Sequence, residues 1–334
     1  MGVTGRRWRI TRLVIGLLLL VLAAALIYYR FDPAYRYFNG VKAGVHFRGE
    51  NLGGLLAEEV ALVVAEVARE EGREPVNAIV EPETGALVPE LNGIEVDRQL
   101  TVEAILAAPR DSTVEPVYRQ TVPARRSEDY PSLLIYKGNS RKPAVGLMIN
   151  VAWNRDDSLQ PMLALLEAEG AQGTFFLTGR WVEEHRDLAR KIDAGGHELA
   201  SHGYSDLEVF PDLTAEEMES SLRQTNEIIF EICGRYPRYF TPHKGEYNPL
   251  TLEVVSRHDM RLLLWSLDTI DWSSPGVEAM QERIMAGLHP GAIILMHPTG
   301  DTVEFLARVL PLIAEQGLQV VAMSELLGPG PITY

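Results

Sequence analysis

Histidine and aspartate recur just after short apolar runs in the second half of this chain. His202 follows ELAS, with Asp206 four residues on; His243 and Lys244 follow RYFTP; Asp268, Asp271 and Trp272 follow RLLLWSL; His297 follows GAIILM; and Asn150 ends VGLMIN. Three of the eight histidines and three carboxylates therefore fall where strands would end. Imidazole and carboxylate hold divalent ions, activate a bound water and protonate a leaving group. His297 with Asp268 or Asp271 has the makings of an acid pair. His202 and Asp206, with His243 as a third donor, have the makings of a remodelled zinc site, since zinc accepts His and Asp and needs three protein ligands plus water. Each group also has a structural reading: His202 and Asp206 holding each other or the backbone, and Asp268, Asp271 and His297 forming a hydrogen-bond network at the mouth of the fold. Trp153, Trp265 and Trp272 could stack on sugar rings, or pack at the core or rim. The remaining histidines, His46, His185, His197, His258 and His289, lie off the strand ends and read as surface or core residues.

The elements that must position these residues are legible as alternating patterns. Apolar runs at 145–151, 173–178, 198–202, 238–242, 261–267, 291–297 and 318–323 read as strands. Amphipathic stretches near 158–169, 181–194, 214–233, 248–258, 276–287 and 302–316 read as helices, the longest opening with a Thr214–Glu217 capping box. Strands alternating with helices imply parallel βα units, so the class is α/β: an incomplete (β/α) barrel, with an open doubly wound sheet as the alternative. In both, the site lies at the carboxyl ends of the strands. Asp156 and Asp157 offer a displaced base or, with Gln160, a helix cap.

The N-terminal half carries no comparable constellation. Arg6, Arg7, Arg9 and Arg12 precede Leu13–Tyr29, an uncharged run at the lower length limit of a spanning helix, with the basic side expected in the cytoplasm. A cleaved signal peptide ending near Ala23 and Ala25 is the alternative. Both readings place the rest of the chain outside the cytoplasm. The expected organisation is a basic tail and anchor (1–30), a stalk (31–41), a small α+β unit (42–121), a linker or edge segment (122–143), the barrel (144–326) and a tail (327–334). The small unit shows a helical pattern at 54–72, a hairpin at 77–93 turning at Thr84–Gly85, the helix LTVEAILAAP and the strand STVEPVYRQTVP. The net charge of −15 argues against nucleic acid as partner and predicts repulsion from anionic wall polymers at low salt. Cys233, the single cysteine, excludes a disulfide framework and reads as a small apolar residue in a helix.

Two resemblances follow from these motifs. GTFFLTGRWVEEHRDLARKIDAGGHELASHGYS, LLLWSLDTIDW and GAIILMHPT make residues 143 to 326 similar to the polysaccharide deacetylase (NodB homology, carbohydrate esterase family 4) domain. That resemblance implies a distorted seven-stranded (β/α) barrel that removes acetyl groups from N-acetylated glycans with a divalent metal, usually zinc. Gly54-Leu55, EPETGALVPELNGIEVD and TVEAILAA resemble the peptidoglycan-binding domain found beside VanW-type and L,D-transpeptidase domains, which implies contact with cell-wall glycan or peptide.

Carried over motif by motif, the deacetylase resemblance is uneven. The family's Thr-Phe-Asp-Asp-Gly motif is Met148-Ile149-Asn150-Val151-Ala152 here, so Asn150 stands for the base and Val151 for a metal ligand. In the His-x-x-x-His motif His202 remains and Asp206 replaces the second histidine. Thr241, in Phe240-Thr241-Pro242-His243-Lys244-Gly245, takes the place of the arginine that orients the base, and this segment with Trp272 would face the glycan. Asp268, Asp271, Trp272 and the acid His297 are retained. A lost general base costs ~10²–10⁴ in rate, and a lost metal removes the activated water and the polarised carbonyl. Two readings follow: a membrane-anchored, zinc-dependent deacetylase of peptidoglycan-type glycan with a new base, or a catalytically silent glycan-binding protein of the same fold. Asn150 would serve glycan binding or hydrogen-bond a neighbouring loop.

Overall fold

The computed structural model describes residues 3–153 and 157–330, with side chains described at 14–25, 31–153 and 157–330. Contacts divide the chain into two units: residues 1–74 with 93–121, and residues 75–92 with 122–334. The hairpin segment thus groups with the C-terminal part, which differs from the boundary at 42–121 drawn from sequence.

The chain begins with α1 (Val3–Asn39), β1 (His46–Phe47), β2 (Glu50–Asn51) and α2 (Ala57–Glu71). There follow β3 (Ile79–Val80), β4 (Leu87–Val88), β5 (Gly93–Val96), α3 (Arg98–Ala107), β6 (Thr113–Val114) and β7 (Tyr118–Thr121). The first unit is α+β: β2-β1-β6 form one small sheet and β5-β7 another. Val45, Phe47, Val60, Val64 and Ile105 form its core. Arg36, near the end of α1, is held by Asp32 at 2.8 Å and Glu59 at 2.6 Å, which ties the last turns of that helix to α2. The spanning helix expected at Leu13–Tyr29 falls partly on residues 26–30, whose side chains lie outside the described residues, as do those of Arg6, Arg7, Arg9 and Arg12. Among the described residues no helix is long and apolar enough to cross a membrane.

The second unit opens with the antiparallel β3–β4 hairpin, turned at Gly85 with a φ of +68°. Its main body runs β8 (Ala144–Val151), α4 (Leu159–Ala168), β9 (Thr174–Leu177), α5 (Gly179–Glu184), α6 (Arg186–Ala194), β10 (Glu198–Ser201), α7 (Ala215–Cys233) and β11 (Tyr239–Phe240). It continues through α8 (Pro249–Arg257), β12 (Arg261–Leu262), β13 (Leu267–Asp268), α9 (Val277–Gly287), β14 (Ile293–Met296), α10 (Gly300–Glu315), β15 (Gln319–Val321) and α11 (Met323–Leu327). Strand order is β12-β11-β10-β9-β8-β14-β13, with β15 also paired to β8, and neighbouring strands run parallel.

Two expectations are corrected. The run 261–267 is two strands, because Leu264, Trp265 and Ser266 leave the ladder between β12 and β13. The sheet has eight strands and not seven; its path ends on β12 and β13, a parallel half-barrel in keeping with the incomplete barrel expected. Residues of the expected linker fill the opening: Ile135 bridges to Leu263 beyond β12, and Lys137 bridges to Ala292 just before β14. Backbone groups that would otherwise be left unpaired are satisfied this way.

Alternation along β8 sorts the core. Val145, Leu147, Ile149 and Val151 join the cluster that includes helix residues such as Leu159, Met162, Trp181 and Phe305. Ala144 and Met148 join the opposite cluster, with Phe176, Ala200 and Leu263. All eight residues of β8 are buried, as expected for a parallel strand covered on both faces. Gly146 has no room for a side chain, since a Cβ there would meet Met323 at 2.9 Å and Leu326 at 3.0 Å. The Thr214–Glu217 capping box forms at the start of α7, and Gly234 closes that helix in the left-handed conformation. Ser158 occupies the N-cap position of α4, while Asp156 lies outside the described residues.

Phe176 is fully buried in the inner cluster. Phe176→Ala is expected to lower unfolding free energy by about 3–5 kcal/mol, read from urea denaturation of the purified chain; a loss below about 1 kcal/mol would contradict this packing.

Candidate functional site

The carboxyl ends of the half-barrel strands enclose a cavity of about 590 Å³ lined by Asn150, Ala152, Trp153, His202, Asp206, His243, Lys244, Trp265, Asp268, Trp272, Leu295 and His297. Parallel strands all point the same way, so the residue after each last rung arrives at one end. Ten of the residues singled out from sequence line this space. Of the others, Asp271 lies buried behind His297, and Thr241 and Pro242 are buried at the end of β11 and do not line it.

The best-ordered chemistry is on the His297 side. His297 Nδ1 donates to Asp271 Oδ1 at 2.8 Å, and the His297 backbone N–H donates to Asp271 Oδ2 at 2.5 Å. Thr302 Oγ1 donates to Asp271 Oδ2 at 2.8 Å, and the Asp271 N–H donates to Thr269 Oγ1 at 3.4 Å. Asp271's side chain is fully enclosed, while 18% of the His297 side chain stays exposed. A buried carboxylate on Nδ1 fixes the ring's orientation and leaves Nε2 facing outward, the arrangement of a general acid or base. The Trp153 ring stacks on His297 with centroids 5.9 Å apart and planes 10° apart. Asp268 accepts from the Ile270 N–H at 2.8 Å. Burial raises its carboxyl pKa; the Ile270 bond opposes that shift and the charge of Asp271 adds to it.

The opposite side is built on a histidine pair. His202 Nδ1 donates to the Thr241 carbonyl at 2.7 Å, which leaves Nε2 as an acceptor. His202 and His243 rings lie 3.8 Å apart at 45°. Burial, helped by the neighbouring His243, drives the His202 pKa well below the usual imidazole value. Burial brings His243 down to about 4, with the charge of Asp206 opposing it. Asn150 is only 5% exposed. Its Oδ1 is buried without a hydrogen-bond partner among the described residues, as are His243 Nε2 and Thr241 Oγ1. Asp206 is exposed at the rim.

These donors do not fit a divalent ion. Among the described residues no group of three or more His, Cys, Asp or Glu side chains could hold one. His202 and His243 lie against each other, Asp206 is at the rim, and Val151, adjacent to Asn150, is buried in the apolar cluster on the other face of β8. The zinc site expected at His202 and Asp206, with His243 as third ligand, is therefore not assembled. Asn150 faces the cavity and makes no loop bond through its oxygen.

Sequence reasoning missed Thr302 and Thr269. Both are fully buried threonines that anchor Asp271, and the one sequence signal was the cap pattern Thr299-x-x-Thr302 at the start of α10. The parallel stack of Trp153 on His297 had no sequence signal, since 144 residues separate them. His197, read as surface or core, is buried and accepts the Gly173 N–H on Nδ1.

The fold and this cavity define a class that comparison with known proteins makes explicit. The family model for polysaccharide deacetylase matches residues 137–263. A chitooligosaccharide deacetylase of Rhizobium leguminosarum bv. trifolii is 35% identical over 159 residues, 44% of this chain and 71% of that protein. The uncharacterized protein YlxY of Bacillus subtilis (strain 168) is 33% identical over 240 residues, 72% of this chain and 75% of that protein. A solved carbohydrate esterase family 4 pseudoenzyme from Bacillus anthracis superposes with a TM-score of 0.71 at 29% identity, covering 81% of this chain and 96% of that one. A mutant of that pseudoenzyme, described as having restored enzymatic activity, superposes equally well, with a TM-score of 0.71 and 99% of its chain covered. This chain belongs to the polysaccharide deacetylase family.

The depressed histidines make stability depend on pH. Between the ordinary imidazole pKa of ~6.5 and about 4 for folded His243, the unfolded chain binds a proton that the folded chain refuses. Stability is therefore full above about pH 6.5, is lost as pH falls toward 4, and changes no further from this residue below that. His243→Asn is expected to flatten the decline in urea midpoint between about pH 7 and about pH 5. An unchanged slope would show that His243 is not held neutral by the fold.

Proposed function

We propose that this chain is a glycan-binding member of the polysaccharide deacetylase family that no longer deacetylates. The observation that carries the reading is Asn150: the position facing the cavity at the end of β8 holds an amide, which takes up no proton at neutral pH, and the next side chain, Val151, is apolar and turned into the core. Activation of water for amide hydrolysis needs a base or a metal-bound hydroxide. The cavity has an amide where the base is needed, and its donors do not assemble around an ion. The similarity to a pseudoenzyme of the same family supports this.

The ligand we infer is an amino-sugar glycan of the cell-wall type. Named relatives act on peptidoglycan and chitooligosaccharides. Three indole side chains line the cavity, and aromatic faces stack on sugar rings. The resemblance of residues 42–121 to a peptidoglycan-binding domain supports a wall-facing role. We further propose that the apolar run Leu13–Tyr29, preceded by arginines, tethers the chain to a membrane with the residues after it outside the cytoplasm.

One observation favours a second reading, zinc-dependent deacetylation with a new base: the Asp271–His297 pair is intact and could still protonate a leaving amine. A single experiment separates the two. Purified chain is assayed for bound metal, for acetate release from N-acetylglucosamine oligomers and muropeptides, and for binding of the same ligands. The expected outcome is binding without metal and without acetate. Zinc near one equivalent, with turnover abolished in His202→Ala, would sink the silent reading. Asn150→Asp is expected to leave acetate release at background, because a base alone leaves the carbonyl unpolarised; measurable turnover in that variant would show that the missing base was the sole defect.

A further inference from the structure

The cavity is rich in hydrogen-bond acceptors. His202 and His297 commit Nδ1 as donors to Thr241 and Asp271, so each leaves a lone pair on Nε2. His243 Nε2 is buried and is not counted among them. Asn150 lines the space too, but its Oδ1 is itself buried, so its amide adds no established acceptor to the set. The carboxylates of Asp206 and Asp268 complete the lining, with the indoles of Trp153, Trp265 and Trp272. The basic member of the lining is Lys244, an exposed residue.

Which ligand matches such a set? A divalent ion demands three or more donors converging to about 2.0–2.2 Å, which these residues do not supply. A neutral acetamide brings one N–H and a carbonyl that itself needs a donor or a cation. A primary ammonium brings three donors, tolerates acceptors at about 2.7–2.9 Å, and is attracted by indole faces. It would also pair with Asp268, whose charge is otherwise disfavoured by burial.

We propose that the cavity binds a glycan through a free primary amine, so that this chain recognises de-N-acetylated amino-sugar units in preference to their N-acetylated forms. The inference rests on the glycan-binding reading above and specifies the chemical state of the ligand. In reaction order, the chain would act after a deacetylating reaction has exposed the amine.

The test is calorimetric titration of the full chain with glucosamine pentamer and with N-acetylglucosamine pentamer, repeated at about 0.5 M salt to screen the acidic surface. The expected result is a Kd at least about tenfold lower for the glucosamine oligomer, surviving in high salt. The preference is expected to shrink in Asp268→Asn and in Asp206→Asn; the second alters an exposed rim residue, so it keeps the test valid if the buried variant misfolds. Equal or tighter binding of the N-acetylated oligomer would overturn the inference and leave the glycan-binding reading standing. Binding that disappears in high salt, or that neither variant weakens, would overturn it as mere attraction to a chain of charge −15. Binding of neither oligomer would overturn both readings.

Discussion

The strand Ala144–Val151 is the constraint on which the rest of the second unit depends. It pairs with three neighbours, β9, β14 and β15, and is buried along its whole length. Side chains on a strand alternate between faces with a period of two. Once Leu147 and Ile149 are committed to the helix layer and Met148 to the interior of the half-barrel, Asn150 must face the cavity and Val151 must not. A one-residue slip would exchange the two faces and place apolar side chains in the cleft. The chemistry open to this chain is therefore set by a backbone register that its own core enforces.

Around that strand the cavity keeps one half of a hydrolytic apparatus. The Asp271–His297 pair is held by Thr302 and Thr269, on α10 and the segment after β13, so its geometry depends on packing between two βα units. The His202–His243 side is held neutral, because burial disfavours the charged imidazole. The cavity thus combines an ordered Asp271–His297 pair with an amide, Asn150, at the end of β8.

The hairpin and the expected linker are structural parts of the second unit. Arg261 on β12 donates to the carbonyls of Tyr130 and Ser127, and Lys142 Nζ donates to the carbonyls of Glu325 and Gly328 near the chain's end. Those bonds hold residues 122–143 across the opening that β12 and β13 leave, which is why a half-barrel is stable without closing.

From sequence alone the parallel βα alternation, the long capped helix α7, and the gathering of His202, Asp206, His243, Asp268 and His297 at one rim could all be read. Each rests on local period, cap chemistry or position at a strand end, which are properties of short stretches. The substitution of Asn150 and Val151 for carboxylates was equally visible and already raised the question of silence. Tertiary structure alone decided that β12 and β13 are separate strands, that Asp271 and not Asp268 pairs with His297, and that Trp153 lies over that ring. It also decided that His202, Asp206 and His243 do not converge on an ion. These outcomes depend on distances between residues far apart in the chain, and spacing along a sequence carries no information about how side chains meet across a cavity.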